Sequence, residues 1–112
     1  MDQEFKLIET NGLNLRVAIS GEGPLVVLIH GWPESWYSWR HQIKALSQAG
    51  YQVAAPDVRG YGGSDKPYEI EAYDMASITA DMAGLITALG AEQAVVIGHD
   101  WGAPIAWNTA LL

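Results

Sequence analysis

The stretch Val95-Val96-Ile97-Gly98-His99-Asp100-Trp101-Gly102-Ala103-Pro104 constrains this chain more than any other. A β-branched run breaks into a glycine-flanked turn and restarts as a helix, with an acid at the apex. In a strand-turn-helix elbow the apex residue adopts strained dihedrals. The positions two before and two after it must be small, because strand and helix nearly touch. Gly98 and Gly102 meet that need. The apex side chain stands at the carboxyl end of a strand and the amino end of a helix, where free N–H groups and the helix dipole favour an anion. The pattern therefore predicts an Asp100 that is ionised at neutral pH and presented as a nucleophile. Asp also serves as a helix cap, but the flanking glycines and a second loop upstream favour the nucleophile.

The rest of the chain alternates strands and helices. Residues 4–10 and 13–20 read as two strands joined at Asn11-Gly12, a dipeptide suited to the positive φ of a tight hairpin. Leu25-Val26-Val27-Leu28-Ile29 is a continuous apolar run, as expected of a strand buried on both faces. Trp36, Trp39, Ile43 and Leu46 recur at spacings of three and four up to Gly50, which predicts a helix with one apolar side. Residues 51–56 form the next strand. The loop Arg59-Gly60-Tyr61-Gly62-Gly63-Ser64-Asp65-Lys66-Pro67 follows. Then comes a helix with an apolar stripe of Met75, Ile78, Met82, Leu85, Ile86 and Leu89, ended by Gly90. Residues 94–97 are the strand before the elbow. The order predicts an α/β fold: a mostly parallel sheet that opens with an antiparallel hairpin and carries helices on both faces. The last helix, 103–112, has no closing residue, so the chain is expected to stop in mid-helix.

A chain of 112 residues with 49% hydrophobic residues forms one globular domain at most. Its formal net charge of −7, with no basic run, argues against nucleic acid or an anionic membrane as partner. The absence of cysteine excludes disulfides, a thiolate nucleophile and cysteine-based zinc sites. The polar, acidic first residues show no secretory signal and no apolar run is long enough to span a bilayer, so a cytoplasmic location is expected. The glycines at 60–63 do not make a dinucleotide fingerprint, because Asp65 stands where the third glycine belongs.

His30-Gly31-Trp32-Pro33 closes the buried strand 25–29, where open α/β sheets place their ligand crevice. An ester intermediate needs two N–H donors aimed at its developing oxyanion, one from the residue after the nucleophile and one from this loop. Trp101 and Trp32 occupy those positions. Pro33 fixes the loop and is placed to hold a cis bond with Trp32. His99 precedes the nucleophile and should point away from it, and His30 lies in a backbone motif, so both read as structural support. His41 is expected to be exposed on a helix. Trp36, Trp39 and Trp107 fall on apolar helix stripes and read as core. Asp57 and Arg59, at a strand end, read as a structural ion pair in preference to a catalytic one.

Three segments in order, His30-Gly31-Trp32-Pro33-Glu34-Ser35-Trp36-Tyr37-Ser38-Trp39-Arg40, Arg59-Gly60-Tyr61-Gly62-Gly63-Ser64 and Gly98-His99-Asp100-Trp101-Gly102, resemble the soluble epoxide hydrolases of the α/β-hydrolase fold. The resemblance implies that Asp100 attacks an epoxide carbon to form an alkyl-enzyme ester, which water then hydrolyses to a vicinal diol. It implies a small epoxide and water as the reactants, and no cofactor or metal. The relay acid, the relay His and the cap tyrosines would follow the nucleophile in this fold, and 12 residues remain after Asp100. The chain is therefore expected to be the amino-terminal portion of one core domain, inactive by itself. Haloalkane dehalogenases use the same nucleophile. However, the position of Trp32 there is usually a halide-holding side chain, and in fluoroacetate-type enzymes Arg follows the nucleophile. A non-catalytic α/β module is the third reading, against which the glycine-constrained acid argues.

Overall fold

The computed structural model describes residues 3–111. Strands β1 (Glu4–Thr10) and β2 (Leu13–Ser20) pair antiparallel through Asn11 and Gly12, whose φ angles are +53° and +82°. There follow β3 (Leu25–Ile29), α1 (Arg40–Gln48), β4 (Gln52–Pro56), α2 (Met75–Ala88), β5 (Val95–Gly98) and α3 (Gly102–Ala110). The sheet order is β1-β2-β4-β3-β5. Since β2 is antiparallel to both neighbours and β3 is parallel to β4 and β5, only β2 runs against the other strands.

The period-2 alternation of the central strands divides the core between the two faces of the sheet. Val26 and Leu28 of β3 join Val53, Ala55 and Ile43 of α1 on one side, with Trp36, Trp39 and Leu46 packed against them. Leu25, Val27 and Ile29 face the other side, where Leu15, Val17 and Ala54 meet Met82 and Leu85 of α2 and Ile105 of α3. All five residues of β3 are buried, as the unbroken apolar run predicts. Burying each such side chain contributes about 2 kcal/mol, so β3 is the fixed rail from which the loop at 30–33 projects.

Several boundaries differ from the sequence expectation. The helix read from Trp36 begins as a 3₁₀ turn over Trp36–Trp39. Ser35 Oγ accepts the Tyr37 amide at 3.3 Å, and Asp57 Oδ1 accepts the Trp36 amide at 2.9 Å, which ties this turn to the loop after β4. A further 3₁₀ turn, Ile70–Tyr73, leads into α2, whose start is capped by Asp74 Oδ1 accepting the Ser77 amide at 2.7 Å. Strand β4 begins one residue late, β5 runs on through Gly98, and α3 starts at Gly102; Leu112 lies outside the described residues. The core assignment of Trp107 is incorrect: its side chain is 72% exposed. Ile105, Ala106 and Thr109 are α3 residues turned inward, and β5 is the edge of the described sheet, so none of the described residues covers Trp107.

Candidate active site

The elbow at Asp100 is built by close approach. Asp100 has φ +58°, the left-handed region that a non-glycine residue occupies at a cost of roughly 1–3 kcal/mol. A methyl group on Gly98 would collide with the Gly102 carbonyl, and one on Gly102 would collide with the Ile29 carbonyl. A Cβ on Gly31 would lie against Asp100 Cβ. These three glycines allow the turn after β5, the start of α3 and the loop after β3 to converge on one point.

The Asp100 side chain is exposed at that point. The backbone N–H groups of Trp101 and Trp32 both donate to its carboxylate and hold it below the ordinary carboxylate range. The Trp32 amide reaches Oδ2 at 3.2 Å. The N-cap of α3 is Trp101, which makes no side-chain cap bond. The Trp32–Pro33 peptide is cis. Glu34 Oε1 accepts the Gly31 amide at 2.8 Å and lies 3.7 Å from His99 Nδ1, so the exposed His99 ring faces Glu34.

His30 is only 2% exposed and is fully engaged. Its Nε2 accepts the Val58 amide at 3.0 Å, which leaves the proton on Nδ1, 2.8 Å from the Gly31 carbonyl. Burial lowers its pKa below the ordinary histidine value, against the opposing pull of the Gly31 carbonyl, Asp57 and Glu34. Tyr61 packs edge-on against the ring, with centroids 5.0 Å apart. The imidazole therefore bridges the loops after β3 and β4 and does not face the Asp100 carboxylate.

Asp57 and Arg59 do not pair with each other, contrary to the sequence expectation. Asp57 accepts from Arg16 Nε at 3.0 Å and from the amides of Trp36 and Gly63, each at 2.9 Å. Arg59 turns to α2, where its guanidinium donates twice to Asp81 at 2.7 Å, and Nη1 reaches the Ala72 carbonyl. The roles of Arg16 and Asp81 were missed in the sequence, although an acid beside the apolar stripe of α2 already signals a buried partner. Together the two pairs pin the loop 57–67 against the sheet and α2.

Between that loop and the elbow lies a cleft of about 260 Å³, mostly apolar, walled by Trp32, Trp101, Tyr61, Met75, Ile78 and Ile105. It opens where β3 and β5 end, the crevice position of open α/β sheets. Among the described residues no group of three His, Asp or Glu is arranged to hold a metal ion, and no helix is long and apolar enough to cross a membrane. His41 is exposed on α1, away from the cleft.

A buried strand ending in a backbone donor, a strained acid presented by glycines and a cleft beside them define an α/β protein with a strand-turn-helix elbow. A family profile described as "alpha/beta hydrolase fold" matches residues 24–112. The chain belongs to that family. It is 59% identical over 109 residues to epoxide hydrolase A of Mycobacterium tuberculosis, covering 96% of this chain and 34% of that protein. The crystal structure of an epoxide hydrolase from Vigna radiata superposes with a TM-score of 0.97 at 46% identity, covering 99% of this chain and 35% of the other. Epoxide hydrolase A of Mycobacterium thermoresistibile gives a TM-score of 0.94 at 58% identity, covering 96% and 34%. The chain spans about a third of the length of these relatives.

Proposed function

We propose that this chain carries the nucleophile and the oxyanion hole of an epoxide hydrolase, whose relay acid, relay His and cap lie outside these 112 residues. The observation that carries the reading is Asp100, strained in its backbone, whose carboxylate receives the amides of Trp32 and Trp101, two residues that wall an apolar cleft. Relatives that are named epoxide hydrolases and match almost all of this chain support the substrate class.

Oδ2 accepts the Trp32 amide, and in this reading Oδ1 is the oxygen that attacks an epoxide carbon. The new Oδ1–carbon bond forms as the ring carbon–oxygen bond breaks, and the leaving oxygen takes a proton from an acid outside this segment. Asp100 is then an alkyl ester whose carbonyl oxygen is Oδ2. Water, deprotonated by a base also outside the segment, adds to the ester carbonyl carbon, and the charge that develops on Oδ2 meets the two amides. Collapse of that intermediate releases the diol with Oδ1 in it and restores the carboxylate. Two easier steps replace one hard one, and each oxyanion donor contributes about 3 kcal/mol to the second. Trp32 and Trp101 offer amides here rather than rings, since both indoles are largely exposed around the cleft.

The test is a single turnover of the longer polypeptide in water enriched in heavy oxygen. Label is expected in the Asp100 peptide and not in the first diol released. Label in that first diol would mean direct attack by water, with Asp100 acting as a general base.

A further inference from the structure

Trp32 N–H and Gly31 C=O are the two ends of one peptide unit, and each end is held by a different part of the molecule. The nitrogen end faces Asp100 Oδ2 at 3.2 Å. The oxygen end accepts His30 Nδ1–H at 2.8 Å and the Glu34 amide at 3.0 Å. The His30 ring is fixed on its other side by the Val58 amide on Nε2 and packed by Tyr61. We infer that His30 is a positioning residue for the reaction proposed above, holding the Gly31–Trp32 peptide so that its N–H stays aimed at the carbonyl oxygen of the Asp100 ester.

The physical argument has two parts. A peptide plane flanked by Gly31 has a low intrinsic barrier to rotation, because glycine accepts φ and ψ values that other residues avoid. In its present orientation Trp32 N–H serves the oxyanion, whereas a rotated plane would present a carbonyl there and repel it. A donor on the Gly31 oxygen blocks that rotation. It also draws electron density toward the oxygen, which makes the N–H at the other end a better donor, the ordinary cooperativity of linked hydrogen bonds. Because Val58 N–H faces Nε2, the neutral ring must carry its proton on Nδ1, the nitrogen that grips Gly31.

The inference rests on the epoxide-hydrolase reading, and it predicts which step suffers. In the alkylation step Asp100 loses negative charge, so a misaligned Trp32 amide costs little. In ester hydrolysis charge returns to Oδ2, and the amide is needed. The discriminating variants in the longer polypeptide are His30→Asn, whose amide nitrogen can take the place of Nδ1, and His30→Gln, which reaches only toward Val58. Acid-quenched single turnovers with styrene oxide, read by mass spectrometry of the Asp100 peptide, should show His30→Gln forming the ester normally. Its hydrolysis should be slowed by about tenfold or more. His30→Asn should hydrolyse the ester within about threefold of the parent on the same oxyanion argument. Equal losses in both variants, or unchanged hydrolysis in His30→Gln, would overturn the inference.

A second measurement needs no variant. Nitrogen-15 imidazole shifts of the parent should place the His30 proton on Nδ1, and a proton on Nε2 would remove the grip on Gly31. If the parent forms no ester at all, the functional reading fails, while the imidazole shifts still decide the geometry.

Discussion

The Trp32 amide donates to Asp100 Oδ2 at 3.2 Å, joining the loop after β3 to the turn after β5 across 68 residues of chain. The bond ties Oδ2 to the loop after β3. It also makes the charged form of Asp100 the favoured one, since Trp101 and Trp32 both donate to it. A carboxylate held below its ordinary range is ionised at neutral pH. Alkylation rates should therefore lack an acid limb from this group down to about pH 4, and fall only beneath the usual carboxylate value. Rapid-quench ester formation across pH checks this, and an acid limb near pH 6 assigned to Asp100 would contradict it.

The positive φ at Asp100 sets stability against chemistry at a single residue. Glycine takes φ +58° without steric cost. Asp100→Gly should abolish ester formation and raise folding stability by about 1 kcal/mol, read from denaturant midpoints of the longer polypeptide. A destabilised Asp100→Gly would mean that the carboxylate's bonds outweigh the strain.

The sequence disclosed this elbow because the pattern that makes it is local: two glycines, an acid between them and a strand before. The loop at 30–33 was legible for the same reason, as were the strands, whose burial is written in unbroken or alternating apolar runs. Partner choice was not. Asp57 and Arg59 are two residues apart, yet the chain leaves β4 after Pro56 and turns at Val58, whose carbonyl accepts the Tyr61 amide, so the two side chains diverge and each found a partner on another element. Trp107 misled because an apolar residue on a helix gives no sign of which neighbour covers it. The cleft wall at Tyr73 and Met75 depends on a 3₁₀ turn set by tertiary contacts, for which no periodic signal exists.

The two ion pairs should differ in their response to mutation. Asp81 is fully buried and Arg59 nearly so, so Asp81→Ala leaves an uncompensated charge in the core and should cost about 3–5 kcal/mol. Arg16 is about a third exposed, and its loss leaves the buried Asp57 still bonded to the Trp36 and Gly63 amides, so Arg16→Ala should cost less than Asp81→Ala. Urea midpoints of the two variants give the comparison, and equal losses would mean that Arg16 matters more than its exposure implies.

His30 links folding to pH. Burial lowers its pKa in the folded protein, so between that value and the unfolded value of about 6.5 the unfolded chain binds more protons. Stability from this group is fully present above about pH 6.5 and declines as the pH falls through the window beneath it. Subtracting the stability profile of His30→Asn from that of the parent should isolate this slope. A flat difference between pH 5 and 7 would show that the ring titrates alike in both states.

The last expectation concerns the 112-residue polypeptide by itself. Among the described residues β5 has no neighbour beyond β3, and Val95, Ile97 and Trp107 leave an apolar strip along that open edge, 57%, 39% and 72% exposed. Unpaired apolar strand edges recruit other edges. The isolated polypeptide should therefore associate as its concentration rises, and charge on the strip should suppress this: Ile97→Lys together with Trp107→Glu should lower light scattering while leaving the Asp100 elbow in place. Incubated with an epoxide, the isolated polypeptide should show at most one alkylation of Asp100 and no sustained diol release. A monomeric polypeptide that produced diol over many turnovers would place the water-activating base within these residues, where His99 adjoins Asp100 and His30 adjoins the Gly31–Trp32 loop.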